Sequence, residues 1–277
     1  LPHLLATARI KINEKAETVI LTATSGDTGK SALEGFRDVP GIRIIVYYPE
    51  KGVSEIQKLQ MVTQEGSNVA VIAVKGNFDH TQNGVKKIFS NHALAAKLAD
   101  HGFKLSSANS INWGRLLPQI VYYFKAYGEM VSNQSLAPGE KINFVVPTGN
   151  FGNILAGYYA QRLGLPINRL ICAANRNNVL SDFINSGIYN SKRDLYLSLS
   201  PSMDILISSN LERLLFELTN HDPVRISSWM QQLKDDGFYK VDPTTHAKIE
   251  KIFWSAYADD QETLTAIKNI YERFQYL

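Results

Sequence analysis

Cysteine is almost absent from this sequence, and Cys172 is the only one. A single thiol excludes an intramolecular disulfide framework, which indicates a protein of a reducing compartment. Cys172 stands in the apolar run 170–173, a pattern typical of a buried strand. We therefore predict a packed thiol rather than a catalytic nucleophile.

Long apolar runs and a strong charge of either sign are also missing. No segment reaches the roughly 18 apolar residues of a membrane-spanning helix, and the first residues lack the layout of a signal peptide. The net charge is +3, with Lys and Arg scattered along the chain, so we expect neither a membrane nor nucleic acid as a partner. These properties favour a cytoplasmic protein, which we expect to be a monomer or homodimer.

From residue 16 onward, short β-rich runs alternate with glycine-containing turns and helical stretches. This alternation is typical of parallel strands joined by crossover helices, so we predict an α/β fold. A polar stretch at 131–141 separates two such regions. The predicted organisation is a helix tail and connection (1–15), a smaller α/β domain (16–132) and a larger α/β domain (133–277).

Individual elements follow from β-branched runs and from the helical spacing of apolar residues. In the smaller domain, the predicted strands are 18–22, 42–47, 69–74 and 105–108. Its predicted helices are 30–37, 53–65, 81–99 and 116–127. In the larger domain, we predict strands 142–146 and 170–174 around a helix at 154–163, a loop-rich stretch at 175–209 and a mostly helical remainder from 211.

The first glycine turn, Thr24-Ser25-Gly26-Asp27-Thr28-Gly29, lies between a predicted strand and a predicted helix. Parallel sheets bind ligands beyond the carboxyl ends of their strands, where helix N-termini and free amides converge on anions. The hydroxyls and amides of this turn suit a carboxylate or a phosphate, and its glycines let the backbone approach a ligand. The alternative is an ordinary helix start capped by Ser25, Asp27 or Thr28.

A second turn of the same kind, Thr148-Gly149-Asn150-Phe151-Gly152-Asn153, follows strand 142–146. Two glycines flank an asparagine and a phenylalanine, so the backbone amides can form a nest that fits a phosphate without a cationic side chain. The alternative is that Phe151 serves packing alone.

A polar cluster, Asn109-Ser110-Ile111-Asn112-Trp113-Gly114-Arg115, lies between the two turns in sequence. Arginine offers a bidentate fork that suits a phosphate dianion, and the asparagine and serine side chains add neutral donors. Asparagine-rich turns also commonly bond to their own backbone. Arg115 favours an anion site.

These three segments, taken in their order along the chain, resemble threonine synthase. Threonine synthase is a family of the tryptophan-synthase-β (type II) class of pyridoxal-phosphate enzymes. The matching runs are 21–29, 107–112 with Arg115, and 147–153, with weaker echoes at 76–79 with Gln82 and at 202–204. The resemblance covers nearly the whole chain and implies two lobes with parallel-rich open sheets flanked by helices. It also implies conversion of O-phosphohomoserine and water to threonine and phosphate, with pyridoxal 5'-phosphate as cofactor and no metal ion.

The resemblance assigns the cofactor phosphate to the second turn. The residues that would hold it are Gly149, Asn150, Phe151, Gly152 and Asn153. Asp27 would lie beside the cofactor ring oxygen, a place where related enzymes use asparagine. Asp27 and Thr28 are the residues that the resemblance marks as catalytic.

The resemblance assigns the substrate, a phosphorylated amino acid, to the other segments. Its carboxylate or reacting centre would contact Thr24, Ser25 and Thr28. Its phosphate would contact Asn109, Ser110, Arg115 and Asn150.

The sequence departs from the family pattern in one respect. The family's cofactor-binding lysine lies in a Phe-Lys-Asp motif just before a helix, and that motif is not found in this sequence. The chain starts at Leu1, and residues 4–10 resemble the tail of such a helix. We therefore expect the lysine shortly before Leu1 in a longer protein, and further large-domain sequence after the C-terminal residue. Lys11, Lys15 and Lys30 are expected to be solvated.

Three alternatives compete with this interpretation. Gly29-Lys30-Ser31 mimics the end of a P-loop, although Thr24 stands where the first glycine is required. A threonine or serine dehydratase shares the cofactor but has no substrate phosphate for Arg115 to bind. A non-catalytic remnant of a longer protein is the third.

Overall fold

A computed structural model of the protein describes residues 1–24, 26–50, 53–76, 78–109 and 112–276. The chain forms two compact units, Leu1–Arg115 and Leu116–Leu277. The sequence analysis placed the boundary after residue 132, beyond the helix Trp113–Ser132. The boundary precedes most of this helix because its buried side chains, Leu116, Ile120 and Tyr123, pack into the core of the second unit.

The first unit is an α/β unit built on a parallel sheet, as predicted. Within its described residues the strand order is β3-β2-β1-β4, and all neighbouring strands are parallel. Its elements in chain order are α1 (Pro2–Lys11), β1 (Glu17–Ala23), α2 (Asp27–Phe36), β2 (Ile42–Pro49), α3 (Glu55–Val62), β3 (Val69–Val74), α4 (Phe78–Phe89), α5 (His92–Asp100) and β4 (Phe103–Ser107).

Helices cover both faces of this sheet. Ile20 of β1 belongs to a buried cluster with Leu33 of α2 and Met61 of α3. The next residue along β1, Leu21, belongs to another cluster with Val85 of α4. Because side chains alternate across a strand, a strand buried on both faces becomes a nearly continuous apolar run, as in 19–23.

The prediction of a single helix at 81–99 was wrong, because the structure has two helices, α4 and α5, in this region. Ser90 Oγ donates to the carbonyl oxygens of Lys86 and Lys87 at the end of α4. Asn91 Oδ1 then accepts a 3.0 Å hydrogen bond from the Leu94 N–H and caps α5. Polar side chains that bond to nearby backbone favour helix ends over helix interiors, and this local effect overrides the apolar periodicity.

The second unit is also α/β, with a parallel sheet in the order β5-β6-β9 and an antiparallel pair, β7-β8, among its described residues. Its elements in chain order are α6 (Trp113–Ser132), β5 (Ile142–Pro147), α7 (Gly152–Arg162), β6 (Ile167–Ala174), α8 (Val179–Ser186), β7 (Ile188–Asn190), α9 (Leu211–Leu218), α10 (Pro223–Asp236), β8 (Phe238–Lys240), α11 (Pro243–Ile252), β9 (Phe253–Tyr257) and α12 (Asp260–Phe274). Of the helices in the described parts of both units, none is long and apolar enough to span a bilayer.

Two regions of the second unit differ from the sequence-based prediction. The stretch 175–209, expected to be loop-rich, contains α8 and β7. The C-terminal region, expected to be mostly helical, contributes β9 to the main sheet, where Phe253 pairs with Leu170 of β6. Helix α11 ends at Ile252 and β9 begins at the next residue. No glycine or proline separates them, so the usual sequence signal for a change of element is missing.

Cys172 lies in β6, and none of its surface is exposed to solvent. Burial raises the pKa of the Cys172 thiol to about 12, since a thiolate is poorly solvated in an apolar core. The predicted role of a packed thiol is confirmed.

The native protein should therefore resist alkylation. At pH 8, iodoacetamide should label Cys172 only after unfolding in urea, because the thiolate is the reactive species. Intact-mass measurement with and without urea checks this. Stoichiometric labelling of the folded protein within minutes would contradict the burial of Cys172.

Candidate functional site

The turn between β1 and α2 is organised by the hydroxyl of Thr24. Thr24 Oγ1 accepts hydrogen bonds of 2.9 Å from the backbone N–H groups of both Gly26 and Gly29. Thr24 and both glycines are buried. The sequence analysis named Ser25, Asp27 or Thr28 as the possible cap of α2, and Thr24 instead supplies the side-chain oxygen that satisfies these amides.

Asp27 and Thr28, the other polar side chains of this turn that the structure describes, are more accessible than Thr24. Asp27 is exposed, and its Oδ1 accepts a 2.9 Å hydrogen bond from Nε2 of Gln57 in α3. Thr28 is half-buried. Ser25, predicted to bind substrate, lies outside the described residues.

Asn109 joins the ends of β4 and β1. Its Nδ2 donates to the carbonyl of Ala23 at 2.7 Å, and its Oδ1 accepts from the Ala23 N–H at 3.2 Å. The side-chain amide therefore extends the pairing of β1 with the β4 segment to Ala23, beyond the last backbone pair, Leu21 with Ser107. Because an amide nitrogen has two hydrogens, this pairing leaves Asn109 one donor for the phosphate contact predicted from the sequence.

Arg115 lies in the first turn of α6, and its side chain reaches back to β4. Its Nη1 donates a 2.8 Å hydrogen bond to the carbonyl of Ala108. Asn112 orders the same segment, since its Nδ2 donates to the Ser107 carbonyl and its Oδ1 accepts from the Gly114 N–H. The structure thus brings Asn109 and Arg115 to the carboxyl end of β4. Ser110 lies outside the described residues.

The P-loop alternative is not supported by this geometry. In a P-loop, free amides cradle the phosphates and the lysine reaches them. In the β1–α2 turn, the Thr24 hydroxyl accepts hydrogen bonds from the amides of Gly26 and Gly29, so these amides are not free to bind a phosphate. Lys30 lies 3.4 Å from Glu34 on its own helix and also donates to Gln64 of the α3–β3 connection.

In the second unit, the turn between β5 and α7 depends on the backbone of Phe151. Phe151 has φ 62° and ψ 7°, in the left-handed region that disfavours residues other than glycine. Its side chain is buried and its ring centroid lies 5.6 Å from that of Phe253 in β9. The packing role considered for Phe151 is therefore present, and it stabilises an unusual backbone geometry at the start of α7.

The backbone amides of this turn are available to a ligand. Among the described residues, no protein atom accepts a hydrogen bond from any backbone N–H group between Gly149 and Ile154. The first N–H groups of any helix lack a partner within the helix, and this accounts for the unbonded N–H groups of α7 and its N-cap. It does not account for the unbonded N–H groups of Gly149 and Asn150, which precede the helix. Thr148 Oγ1 donates to the Val146 carbonyl at 2.6 Å and accepts no hydrogen bond from these N–H groups.

Neighbouring side chains fix both ends of the turn. Asn210 Nδ2 donates to the Asn150 carbonyl at 2.9 Å, and Ser209 Oγ donates to Asn150 Oδ1 at 3.2 Å. At the other end, the Tyr123 hydroxyl lies 2.8 Å from both the carbonyl oxygen and Oδ1 of Asn153. The five predicted residues, 149–153, are therefore together in one rigidly supported turn.

Gly149 is closely packed, so any larger residue there requires its neighbours to move by a few tenths of an ångström. A Cβ atom added there would lie 3.0 Å from Cγ1 of Ile205 and 3.3 Å from the backbone Cα of Met203. A Cβ at Gly152 would meet only Nδ2 of Asn210, at an ordinary 3.5 Å. The two glycines that look alike in the sequence therefore differ in their steric constraints.

The sequence analysis missed a polar network that anchors the segment packed on Gly149. Asp204 Oδ1 accepts hydrogen bonds from Asn175 Nδ2 (2.7 Å), Asn177 Nδ2 (2.8 Å) and Ser198 Oγ (2.7 Å). Asp204 Oδ2 accepts a fourth from the Ser198 N–H at 2.9 Å. Asn175 and Asn177 directly follow β6, so the strand-end rule that identified the glycine turns could also have identified them.

Comparison with solved structures defines the class of this fold. The PLP-bound threonine synthase from Brucella melitensis has a TM-score of 0.88 and 39% sequence identity, over 100% of this chain and 57% of that chain. The predicted α/β fold with parallel sheets flanked by helices is confirmed, and it matches the type II pyridoxal-phosphate enzymes.

The sequence comparisons agree with the structural one, although no protein-family model matches this chain. Threonine synthase from Pseudomonas aeruginosa is 42% identical over 253 residues, which cover 91% of this chain and 52% of that protein. Human threonine synthase-like 1 is 39% identical over 284 residues, which cover 100% of this chain and 38% of that protein. The chain belongs to the threonine synthase family and spans about half of these relatives' length or less.

Replacing Thr24 by valine should destabilise the first unit by about 1–3 kcal/mol, because the buried Gly26 N–H loses its acceptor and the Gly29 N–H keeps only its 3.0 Å bond to the Gly26 carbonyl. Thr24→Ser keeps the oxygen and is the matched control, with an expected cost of about 1 kcal/mol for the lost methyl group. Urea unfolding followed by intrinsic fluorescence measures both. Equal stability of the Val and Ser variants would show that the Thr24 hydroxyl does not hold the turn.

Proposed function

We propose that this chain is part of a pyridoxal-phosphate-dependent phospho-lyase that converts O-phosphohomoserine and water to threonine and phosphate. The single observation that carries the proposal is the set of unbonded backbone N–H groups from Gly149 to Ile154 at the carboxyl end of β5. Buried backbone donors are normally bonded, so a run of unbonded ones beside a left-handed residue is suited to an anion.

These residues fit the phosphate of the cofactor. The glycines at 149 and 152 leave the amides accessible to a ligand, and the N-terminus of α7 adds the favourable end of a helix dipole. Gly149, Asn150, Phe151, Gly152 and Asn153 would hold the phosphate through main-chain donors. The bound cofactor would supply an electron sink for negative charge at Cα and Cβ of the substrate.

In the first unit, Arg115 and Asn109 would bind the phosphate that leaves the substrate. Negative charge grows on that phosphate as its bond to carbon breaks, and donors already held in place stabilise it best. The bond from Arg115 to Ala108 and the pairing of Asn109 with Ala23 hold both side chains in place before substrate arrives. The roles of Thr24, Ser25, Asp27 and Thr28 towards substrate and cofactor, and of Ser110 and Asn150 towards the substrate phosphate, remain predictions.

None of the three lysines considered in the sequence analysis is a good candidate for the amine that would bind the cofactor covalently. Lys11, the last residue of α1, and Lys15, in the connection between α1 and β1, are exposed. Lys30 is occupied by Glu34 and Gln64. We therefore expect binding of pyridoxal phosphate to this chain to depend on the phosphate group.

Titration of the protein with pyridoxal phosphate, pyridoxal and inorganic phosphate tests the phosphate site. Pyridoxal phosphate should bind at least about tenfold more tightly than pyridoxal, as expected for charge-assisted hydrogen bonds to a phosphate, and inorganic phosphate should compete for the same site. Gly149→Ala should remove most of this difference, since its Cβ atom displaces the turn from Met203.

Gly128→Ala is the matched control for this experiment. Gly128 is a helical residue of α6 with no atom within 4 Å of an added Cβ, so alanine there should leave the binding of all three compounds unchanged. Equal affinity of the wild-type protein for pyridoxal and pyridoxal phosphate would overturn the proposed phosphate site.

A second prediction concerns the substrate phosphate. In the full-length, cofactor-loaded protein, Arg115→Ala should lower kcat/KM for O-phosphohomoserine about 100-fold, consistent with losing a bidentate charge-assisted contact. Arg115→Lys keeps the charge without the fork and should fall between wild type and alanine. Phosphate release measures all three proteins. If Arg115→Ala lowers kcat/KM by less than about tenfold, which corresponds to about 1.4 kcal/mol, Arg115 does not bind the reacting phosphate.

A further inference from the structure

Asn210 lies at the N-cap position of α9, but its side chain does not cap that helix. Asparagine is favoured at N-caps because its side-chain oxygen accepts a hydrogen bond from an N–H of the first turn. Asn210 makes no such bond. The side chain is buried, with 0% of the residue exposed, so its conformation is set by the surrounding protein.

The amide nitrogen of Asn210 is directed to the β5–α7 turn instead. Nδ2 donates to the Asn150 carbonyl at 2.9 Å and to Ser209 Oγ at 3.3 Å. Ser209 in turn donates to Oδ1 of Asn150. Two consecutive residues before α9 therefore hold both the main chain and the side chain of Asn150.

The bond to the Asn150 carbonyl determines the direction of the next amide. A trans peptide is planar, and its C=O and N–H groups point in opposite directions. The structure has no cis peptide bond among its described residues. When Asn210 fixes the oxygen of the peptide between Asn150 and Phe151, it also fixes the direction of the Phe151 N–H, which is one of the unbonded donors of the turn.

The oxygen of the Asn210 side chain indicates that this arrangement has a cost. Oδ1 is buried and has no hydrogen-bond partner among the described residues. Burying an unbonded acceptor is unfavourable, and an apolar residue of similar size would avoid it. A side chain that neither caps its helix nor satisfies its own oxygen is poorly explained by the stability of the fold alone.

We propose that Asn210 is a positioning residue for the phosphate site, aiming the Phe151 N–H at the bound anion by holding the carbonyl of Asn150. The proposal rests on the proposed function of the turn 149–153 and adds to it a residue distant in the chain. It separates two contributions to cofactor affinity, because Asn210 should contribute to the binding of the phosphate group and not to the binding of the pyridoxal moiety.

Asn210→Leu tests this separation, because leucine has a similar size and neither a donor nor an unbonded oxygen. The dissociation constants for pyridoxal phosphate and for inorganic phosphate should rise about tenfold, the loss expected when one charge-assisted bond is misaligned. The affinity for pyridoxal, which lacks the phosphate, should not fall. Unchanged phosphate affinity, or equal weakening of pyridoxal and pyridoxal phosphate, would overturn the proposal.

A second measurement uses the protein without any ligand. In amide NMR spectra, Asn210→Leu should shift or broaden the Phe151 and Gly152 signals, because the peptide before Phe151 is no longer held. Asn91→Ala is the control, since Asn91 caps α5 through the Leu94 N–H; it should lower stability and leave these signals and the phosphate affinity unchanged.

The two measurements distinguish failure of the inference from failure of the proposed function. A wild-type protein that binds neither pyridoxal phosphate nor inorganic phosphate would refute the phosphate site itself. A Phe151 amide signal that is the same in wild type and Asn210→Leu would refute the positioning role, whether or not the wild-type protein binds phosphate.

Discussion

The left-handed backbone of Phe151 is the constraint on which the candidate site of the second unit depends. A residue with a Cβ atom in this region is strained by roughly 1–2 kcal/mol, so the surrounding structure must hold it there. Burial of the phenyl ring against Phe253 does so, because the apolar contact is lost if the backbone relaxes. The aromatic core of the unit thereby determines where α7 begins and how the amides of the turn are directed.

The two glycine turns show how similar sequences acquire different properties. Both begin with threonine after a parallel strand and continue into a helix. In the first turn, the Thr24 hydroxyl folds forward onto the amides of Gly26 and Gly29. In the second, the Thr148 hydroxyl bonds back to Val146 and leaves the following amides open. The two turns therefore differ in whether a threonine hydroxyl accepts hydrogen bonds from the amides that follow it.

Local patterns in the sequence predicted the strands β1, β2, β3 and β5 and the two turns, because β-branched runs followed by glycine directly encode a parallel strand and its exit. Features that depend on distant residues were not predictable in this way. Phe253 and Trp254 form a strand only because β6 offers a free edge. Asn210 has the sequence context of a helix cap, and only its distance to the Asn150 carbonyl shows its actual bond. The Asp204 network likewise joins residues that the chain separates by a helix and a loop.

The position of β9 also has a consequence for how the protein is made. In the second unit, β9 joins the sheet late in this sequence, whereas the β5–α7 turn precedes it by most of the unit. Contacts between residues so far apart form slowly, since a long loop must close first. When the ribosome has just synthesised α7, Phe253, the aromatic partner of Phe151, has not yet been synthesised. During translation the nascent turn lacks this support, and its geometry is established only after β9 has been synthesised.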